Sequence, residues 1–346
     1  RTGKPGPVIG LRADIDALPV VERNALPYAS KETSTYLGQN VGVMHACGHD
    51  THIAILMGVA EIFSKMKNDL KGTIVFLFQP AEEGAPEGEE GGAALMIKEG
   101  LLDDPKVEAV FGLHINSLTP VGMLTYRPEG ELAAVDNLYI KVTGRQSHGS
   151  APWSGIDPIV ASAHIITALQ TITSRSIEVT KAPAVVTIGK ITGGVRSNII
   201  PESVEMIGTI RNLDVGIQDQ VHKLIRQIAE NTAEGLGAKA DVQITRLYPI
   251  TYNDPSLTAW SAPILERVAG KGNTLVIKPQ TGSEDFSFFA NKVPGFFFFV
   301  GGLPKGSDPT KTPSHHTPDF FVDDAGMLTG LRAMLNLSAE YLYKKK

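Results

Sequence analysis

Short apolar runs separated by helical patterns set the rhythm of this chain. Val8 to Leu11, the continuous run Thr73 to Phe78, Ala109 to Leu113 and Phe296 to Val300 read as strands, the second of buried-strand type. From Asp50 onward, Ile53, Leu56, Met57, Ala60, Phe63 and Met66 recur at helical spacing, with Asp50 placed as N-cap. Strand, helix, strand alternation predicts an α/β sheet. Polar, ligand-type residues follow the last apolar residue of each run: Asp14 and Asp16, then Glu82 and Glu83, then His114, then His315 and His316. Open α/β sheets build their sites at the carboxyl ends of strands, so these distant motifs are expected to converge on one edge.

A different rhythm runs from about Val135 to Tyr248. Asn137 to Val142 alternates as a half-buried strand, and a helix is predicted from Pro158 to Thr173. Strands follow at Ala184 to Ile191 and Ser203 to Arg211, a helix at about Gln218 to Gly235, and a strand at Asp241 to Leu247. That is βαββαβ, the split arrangement of a ferredoxin-like unit, inserted into the first domain. The expected organisation is a catalytic domain from 1–130 and 250–346 around an insert at 131–249.

At 346 residues, 42% hydrophobic, the chain has room for two domains of ordinary globular composition. A formal net charge of −5 without a dense basic patch argues against nucleic acid. No apolar run approaches a membrane span, and Lys344–Lys346 reads as a solvated tail. The first residue is Arg1 rather than Met, so a trimmed N-terminus is expected. The compartment, cytoplasmic or periplasmic, stays open.

The densest chemistry lies in His45-Ala46-Cys47-Gly48-His49-Asp50-Thr51-His52, which holds three of the nine histidines and the only cysteine. Thiolate and imidazole are ligands that zinc and similar divalent ions prefer, and a lone Cys has no disulfide partner. Glu82-Glu83 is a carboxylate pair after a strand, where one carboxylate can bind a metal while the other moves protons. It also reads as the start of a solvated acidic loop through Glu87, Glu89 and Glu90. His114 and His316 complete a two-metal inventory of N, O and S donors. In the insert, His148 is placed to stabilise an oxyanion, Asn198 to donate from a Gly-rich loop, and Arg211 to face a carboxylate. Gly282 to Phe286 looks like a helix start with Ser283 as N-cap.

In this order the motifs resemble the M20 metallopeptidase and amidohydrolase family, in the branch with amino-acid amidohydrolases, hippurate hydrolases and indole-acetyl-amino-acid hydrolases. The matching stretches are Leu11 to Pro19, Met44 to His52, Gln79 to Gly84, Gly112 to His114, Ser147 to Pro152, Asn198 to Pro201, Gly282 to Phe286 and His316 to Pro318. The resemblance implies a three-layer α/β/α catalytic domain that holds two divalent metal ions per subunit (zinc, manganese, cobalt or nickel). It also implies an inserted lid that dimerises. It carries metal ligation onto Cys47, His49, Glu83, His114 and His316, general-base duty onto Glu82, and transition-state stabilisation onto His148. Two features depart from many M20 peptidases. Asp14-Ile15-Asp16 stands where they carry a His-x-Asp ligand motif, and Cys47 and His49 stand where they use a bridging carboxylate.

The implied activity is hydrolysis of the amide bond of N-acyl amino acids, with a dipeptidase or carboxypeptidase as the alternative. The ligand is then a small N-acyl amino acid or dipeptide, with neither nucleic acid nor membrane as partner. A non-catalytic metal-binding protein would not need Glu82, and a redox role for Cys47 would need a resolving cysteine that the chain lacks.

Overall fold

The structure, a computed structural model, describes residues 2–86 and 88–344. Arg1, Glu87 of the acidic loop and the last two lysines of the expected tail lie outside the described residues. The chain divides into two compact units. The first comprises 1–131, 251–278 and 285–346, and the second 132–250 and 279–284.

The first unit opens with β1 (Val8–Asp14), the hairpin β2 (Thr33–Tyr36) and β3 (Gln39–Gly42), helix α1 (His49–Lys65) and β4 (Thr73–Gln79). It continues through α2 (Gly92–Lys98), β5 (Ala109–Pro120), β6 (Leu124–Tyr126) and β7 (Glu129–Leu132). The second unit holds β8 (Ala134–Thr143), β9 (Ser147–His148), α3 (Pro158–Thr171), β10 (Ala184–Gly193), β11 (Ile199–Ile200), β12 (Ser203–Asn212), α4 (Val215–Gly235) and β13 (Lys239–Tyr248). The chain then returns to the first unit with β14 (Thr251–Asn253), α5 (Pro255–Ala269), β15 (Thr274–Val276), α6 (Phe286–Ala290), β16 (Gly295–Leu303) and α7 (Ala325–Leu342).

A six-stranded sheet in the order β15-β6-β16-β5-β1-β4 forms the first unit's centre. The four strands β16, β5, β1 and β4 are mutually parallel, so their carboxyl ends share one edge. Strand β16 explains the layering. Phe296, Phe298 and Val300 join the core beneath α1, α5 and α7, whereas Phe297 packs on Phe286 of α6 with ring centroids 5.1 Å apart. Successive side chains of a strand point to opposite faces, so α6 covers the face that α1, α5 and α7 do not. Helices therefore lie on both sides of a mostly parallel sheet.

Strand β4 was expected to be buried throughout, but it is the sheet's edge, and Phe78 is 37% exposed. Periodicity reports apolar faces and is blind to strand order, so an apolar edge strand reads like a central one. Helix α1 begins earlier than predicted. Gly48 occupies the N-cap and Asp50 lies inside the first turn. Its buried stripe is His52, Ile55, Leu56, Val59 and Phe63, while Met57 and Met66 are exposed. The phase is set by His49 and His52, which turn inward although they are polar.

The second unit pairs its antiparallel strands in the order β10-β12-β8-β13. Leu138, Ile140 and Val142 of β8 and Val204, Met206 and Ile210 of β12 face α3 and α4 in one core. Helix α4 answers with Ile217, Val221, Ile225, Ala229 and Ala233, a stripe at four-residue spacing. Asp157 and Asp214 accept backbone N–H bonds as N-caps of the two helices. Among the described residues no helix is long and apolar enough to cross a membrane.

Candidate metal centre

The shared strand edge of the first unit gathers the expected ligands. Cys47 and His49 flank Gly48, which sits at φ 88° before α1. A Cβ there would collide with Ile115 Cγ2 and lie 3.3 Å from the Phe320 ring, so only glycine lets the turn press against β5. Glu82 and Glu83 leave the end of β4 through Ala81, a non-glycine residue at φ 56°. His114 lies in β5, which runs on to Pro120 instead of ending there as expected. His316 also has a positive φ, 64°, and its N–H donates to Ala46 O at 2.8 Å, tying the loop after β16 to the cysteine turn. Non-glycine residues in this region carry strain of about 1–3 kcal/mol, typical of functional sites.

Cys47 is the hub. Its Sγ lies 3.4 Å from His114 Nε2 and 3.3 Å from His316 Nε2. Ligand atoms of Cys47, His49 and His114 lie within 4.8 Å of one another, as do those of Cys47, Glu83 and His316. A third such group joins His49 to Glu82 and Glu83, and Glu82 Oε2 is 4.0 Å from His49 Nε2. All five expected ligands and the expected base thus meet in one cluster.

The imidazoles are oriented. His49 Nδ1 donates to Asp16 O at 3.0 Å, with Asp16 Oδ1 at 3.3 Å, and His114 Nδ1 donates to Ile115 O at 2.6 Å. Each ring therefore turns Nε2 toward the cluster, the arrangement seen in metal-ligating histidines. Asp16 Oδ2 also accepts the Glu83 N–H at 3.0 Å, so one residue holds a ligand ring through its carbonyl and a ligand backbone through its carboxylate.

The donor set fits divalent cations. His49 Nε2 and Glu83 Oε1 are buried without a hydrogen bond of proper geometry, although His316 Nε2 approaches Glu83 Oε1 at 2.9 Å. Burial, Glu83 and Glu82 push the Cys47 thiol up. Burial would lower His49, but Asp14 and then Asp16 lift it to about 9. Donors crowded this closely suit a bound cation, which their lone pairs would share.

Asp14, whose Oδ2 lies 3.5 Å from His49 Nε2 and which groups with His49 and His52 as potential donors, is engaged by other partners. Its Oδ2 accepts from Arg12 Nη1 at 3.0 Å and its Oδ1 from His52 Nδ1 at 2.5 Å. Burial raises Asp14, yet Arg12, His52 and His49 outweigh it and hold the carboxyl well below its usual range. Arg12 also donates from Nε to Gln79 at 2.9 Å and from Nη2 to Asp285 at 2.9 Å. Asp285 accepts further bonds from Gln79 and Ala93 N–H. This explains a failed expectation. Ser283 is not a helix cap; α6 begins after Asp285, whose carboxylate is already taken by Arg12 and Gln79. The sequence reading assigned no role to Arg12, Gln79, Asp285 and His52, although all four lie in the stretches that resemble the family. The available signal was an arginine and an aspartate inside an apolar strand.

The other expected residues belong to the second unit. His148 is exposed on β9, and its Nδ1 accepts from Ser150 N–H at 3.1 Å. It pairs across the ribbon with Ile199, and Gly149 N–H donates to Asn198 O at 2.9 Å, which makes Asn198 its neighbour. Arg211 is half-buried and donates from Nη1 to Ser283 Oγ at 3.1 Å. Eight residue steps of extended β12 carry the chain roughly 26 Å from Ser203 to Arg211, so Asn198, which precedes the start of that strand, and Arg211, near its end, lie toward opposite ends of it.

A thiol, imidazole and carboxylate cluster at the carboxyl edge of a parallel sheet is a donor set suited to divalent metal ions. The sequence profile of Peptidase family M20/M25/M40 matches residues 10–340, and the chain belongs to that family of amide-bond hydrolases. It is 38% identical over 345 residues to thermostable carboxypeptidase 2 of Saccharolobus solfataricus, covering 99% of this chain and 83% of that protein. It is 36% identical over 325 residues to the N-acetyl-L-cysteine deacetylase of Bacillus subtilis, covering 93% and 72%. The crystal structure of Bacillus subtilis YXEP, described as a dinuclear metal-binding peptidase of the M20 family, superposes with a TM-score of 0.81 at 32% identity. That match covers 99% of this chain and 83% of that one.

Proposed function

We propose that the protein is a two-metal amidohydrolase that cleaves N-acyl amino acids. The observation that carries this reading is the pair of ligand triads, Cys47–His49–His114 and Cys47–Glu83–His316, which share one thiolate. Cys47, His49, Glu83, His114 and His316 would hold two cations, and a family member of similar fold is described as dinuclear. Bound ions supply Lewis acidity and lower the pKa of a coordinated water. Glu82, buried beside His49 and Glu83, accepts the attacking water's proton and passes it to the amine nitrogen as the C–N bond breaks. His148 donates to the carbonyl oxygen as it gains charge. Asn198, beside His148, takes the amino acid's carboxylate. Arg211, at the far end of β12, is the alternative holder of that carboxylate. The βαββαβ unit acts as a ferredoxin-like lid and pairs two chains into a homodimer; β10, its exposed edge strand, supports this reading.

The deacetylase among the relatives supports an N-acyl substrate, and the carboxypeptidase supports a second reading as a peptidase. Rates on matched N-acyl amino acids and dipeptides separate the two, since a dipeptidase requires a free α-amine. Exhaustive chelation should abolish turnover, and manganese, cobalt or zinc should restore it. Glu82→Gln should lose at least about a hundredfold in kcat with wild-type metal content. Full activity after verified metal loss, or in Glu82→Gln, would overturn the mechanism.

A further inference from the structure

Two histidines of the centre, His52 and His315, were not among the expected ligands, and the structure gives them a different employment. β1 pairs with β5 only over Ala109–Phe111, and beyond that β5 runs on without it. There Ile115 N–H donates to His52 Nε2 at 2.8 Å, and Ser117 N–H donates to His315 Nε2 at 3.2 Å. Backbone groups two residues apart leave a strand on the same side, so the two imidazoles take the acceptor places that β1 vacates. The opposite nitrogens are also engaged. His52 Nδ1 donates to Asp14, and His315 Nδ1 donates to Cys47 O at 3.2 Å, with Cys47 Sγ at 3.6 Å.

Each ring thus donates through one nitrogen and accepts through the other, which only a neutral imidazole can do. Neither has an Nε2 lone pair left for a metal. Between them stands His114, edge-on to both, with centroids 4.6 Å from His52 and 5.4 Å from His315. His52 also stacks on His49 at 5.4 Å. Resting on the two-metal reading above, we propose that His52 and His315 are positioning residues that form a clamp. The clamp fixes the His114 ring and, through the Cys47 carbonyl, the cysteine turn, so that thiolate and ligand imidazoles present one coordination geometry.

The test is cobalt binding to the full chain, measured by competition with a chromophoric chelator and by absorption spectra. His315→Phe keeps a ring against Phe320, whose centroid lies 4.7 Å from that of His315, and removes both hydrogen bonds. His315→Gln and His52→Gln each keep a donor and an acceptor, whereas His52→Leu keeps neither. Wild type should show a thiolate-to-cobalt charge-transfer band. His315→Phe and His52→Leu should bind cobalt about 10–100-fold more weakly, with altered d–d bands. The glutamine variants should retain most of the affinity. If His52→Leu does not fold, His315→Phe decides. Wild-type affinity and spectrum in His315→Phe would overturn the clamp. A wild-type protein with no thiolate–cobalt band would remove the metal reading and the clamp with it.

Discussion

Gly48→Ala puts the packing of the cysteine turn to a direct test. Gly48 sits at φ 88°, where an L side chain costs about 1–2 kcal/mol. The new methyl would also collide with Ile115 Cγ2, and Ile115 is fully buried in β5 beside His114. Neither side can retreat freely, because the Ile115 N–H is held by His52 and the turn continues directly into α1. Overpacking of this kind costs about 1–3 kcal/mol, for a total of about 2–5 kcal/mol. The assay is urea unfolding of the metal-free protein in a Trp153→Phe background, so that Trp260, packed against the first unit's core, is the only tryptophan reporting. Adding Ile115→Ala removes the colliding atom but leaves the backbone conformation. The double variant should therefore be about 1–3 kcal/mol better than the sum of the singles. A Gly48→Ala loss below about 1 kcal/mol, or strict additivity with Ile115→Ala, would refute the reasoning.

Glu131 tests a buried acid away from the ligands. Its Oε2 accepts from Asn253 Nδ2 at 2.9 Å, its Oε1 is buried without a partner, and burial raises its pKa well above the usual carboxylate value despite Asn253 and Arg127. Its contribution is thus full below the unfolded-state pKa of about 4.3 and is lost as pH rises toward the folded-state value. Glu131→Gln should remove up to about 1.4 kcal/mol of that loss per pH unit in this window, and parallel stability profiles for the two proteins would contradict it. For His148→Ala, kcat should fall about a hundredfold with little change in KM, as for a lost transition-state contact. If His148 acts across a dimer, mixing this variant with Glu82→Gln should recover activity once subunit exchange is verified. No recovery would confine His148 to its own subunit.

The sequence by itself determined the elements and the inventory. Apolar runs and helical stripes located β1, β4, β5, β16, α1 and the βαββαβ succession, because burial imposes periods of 2 and 3.6 on the side chains that face a core. Ligand-type residues past strand ends singled out Glu82, Glu83, His114 and His316, the dense Cys/His stretch before α1 added Cys47 and His49, and the parallel register of four strands is the reason the strand-end residues share one edge. Tertiary structure decided what pattern cannot carry. It put the apolar β4 at the sheet edge and engaged Asp14 with Arg12 and His52. It also separated two adjacent histidines. His316 turns its Nε2 to Cys47 Sγ, whereas His315 has both nitrogens engaged, one with Ser117 N–H and the other with the Cys47 carbonyl. Neighbouring residues of identical chemistry differ only in the direction each ring takes, and that direction is set by partners 198 and 268 positions away in the chain.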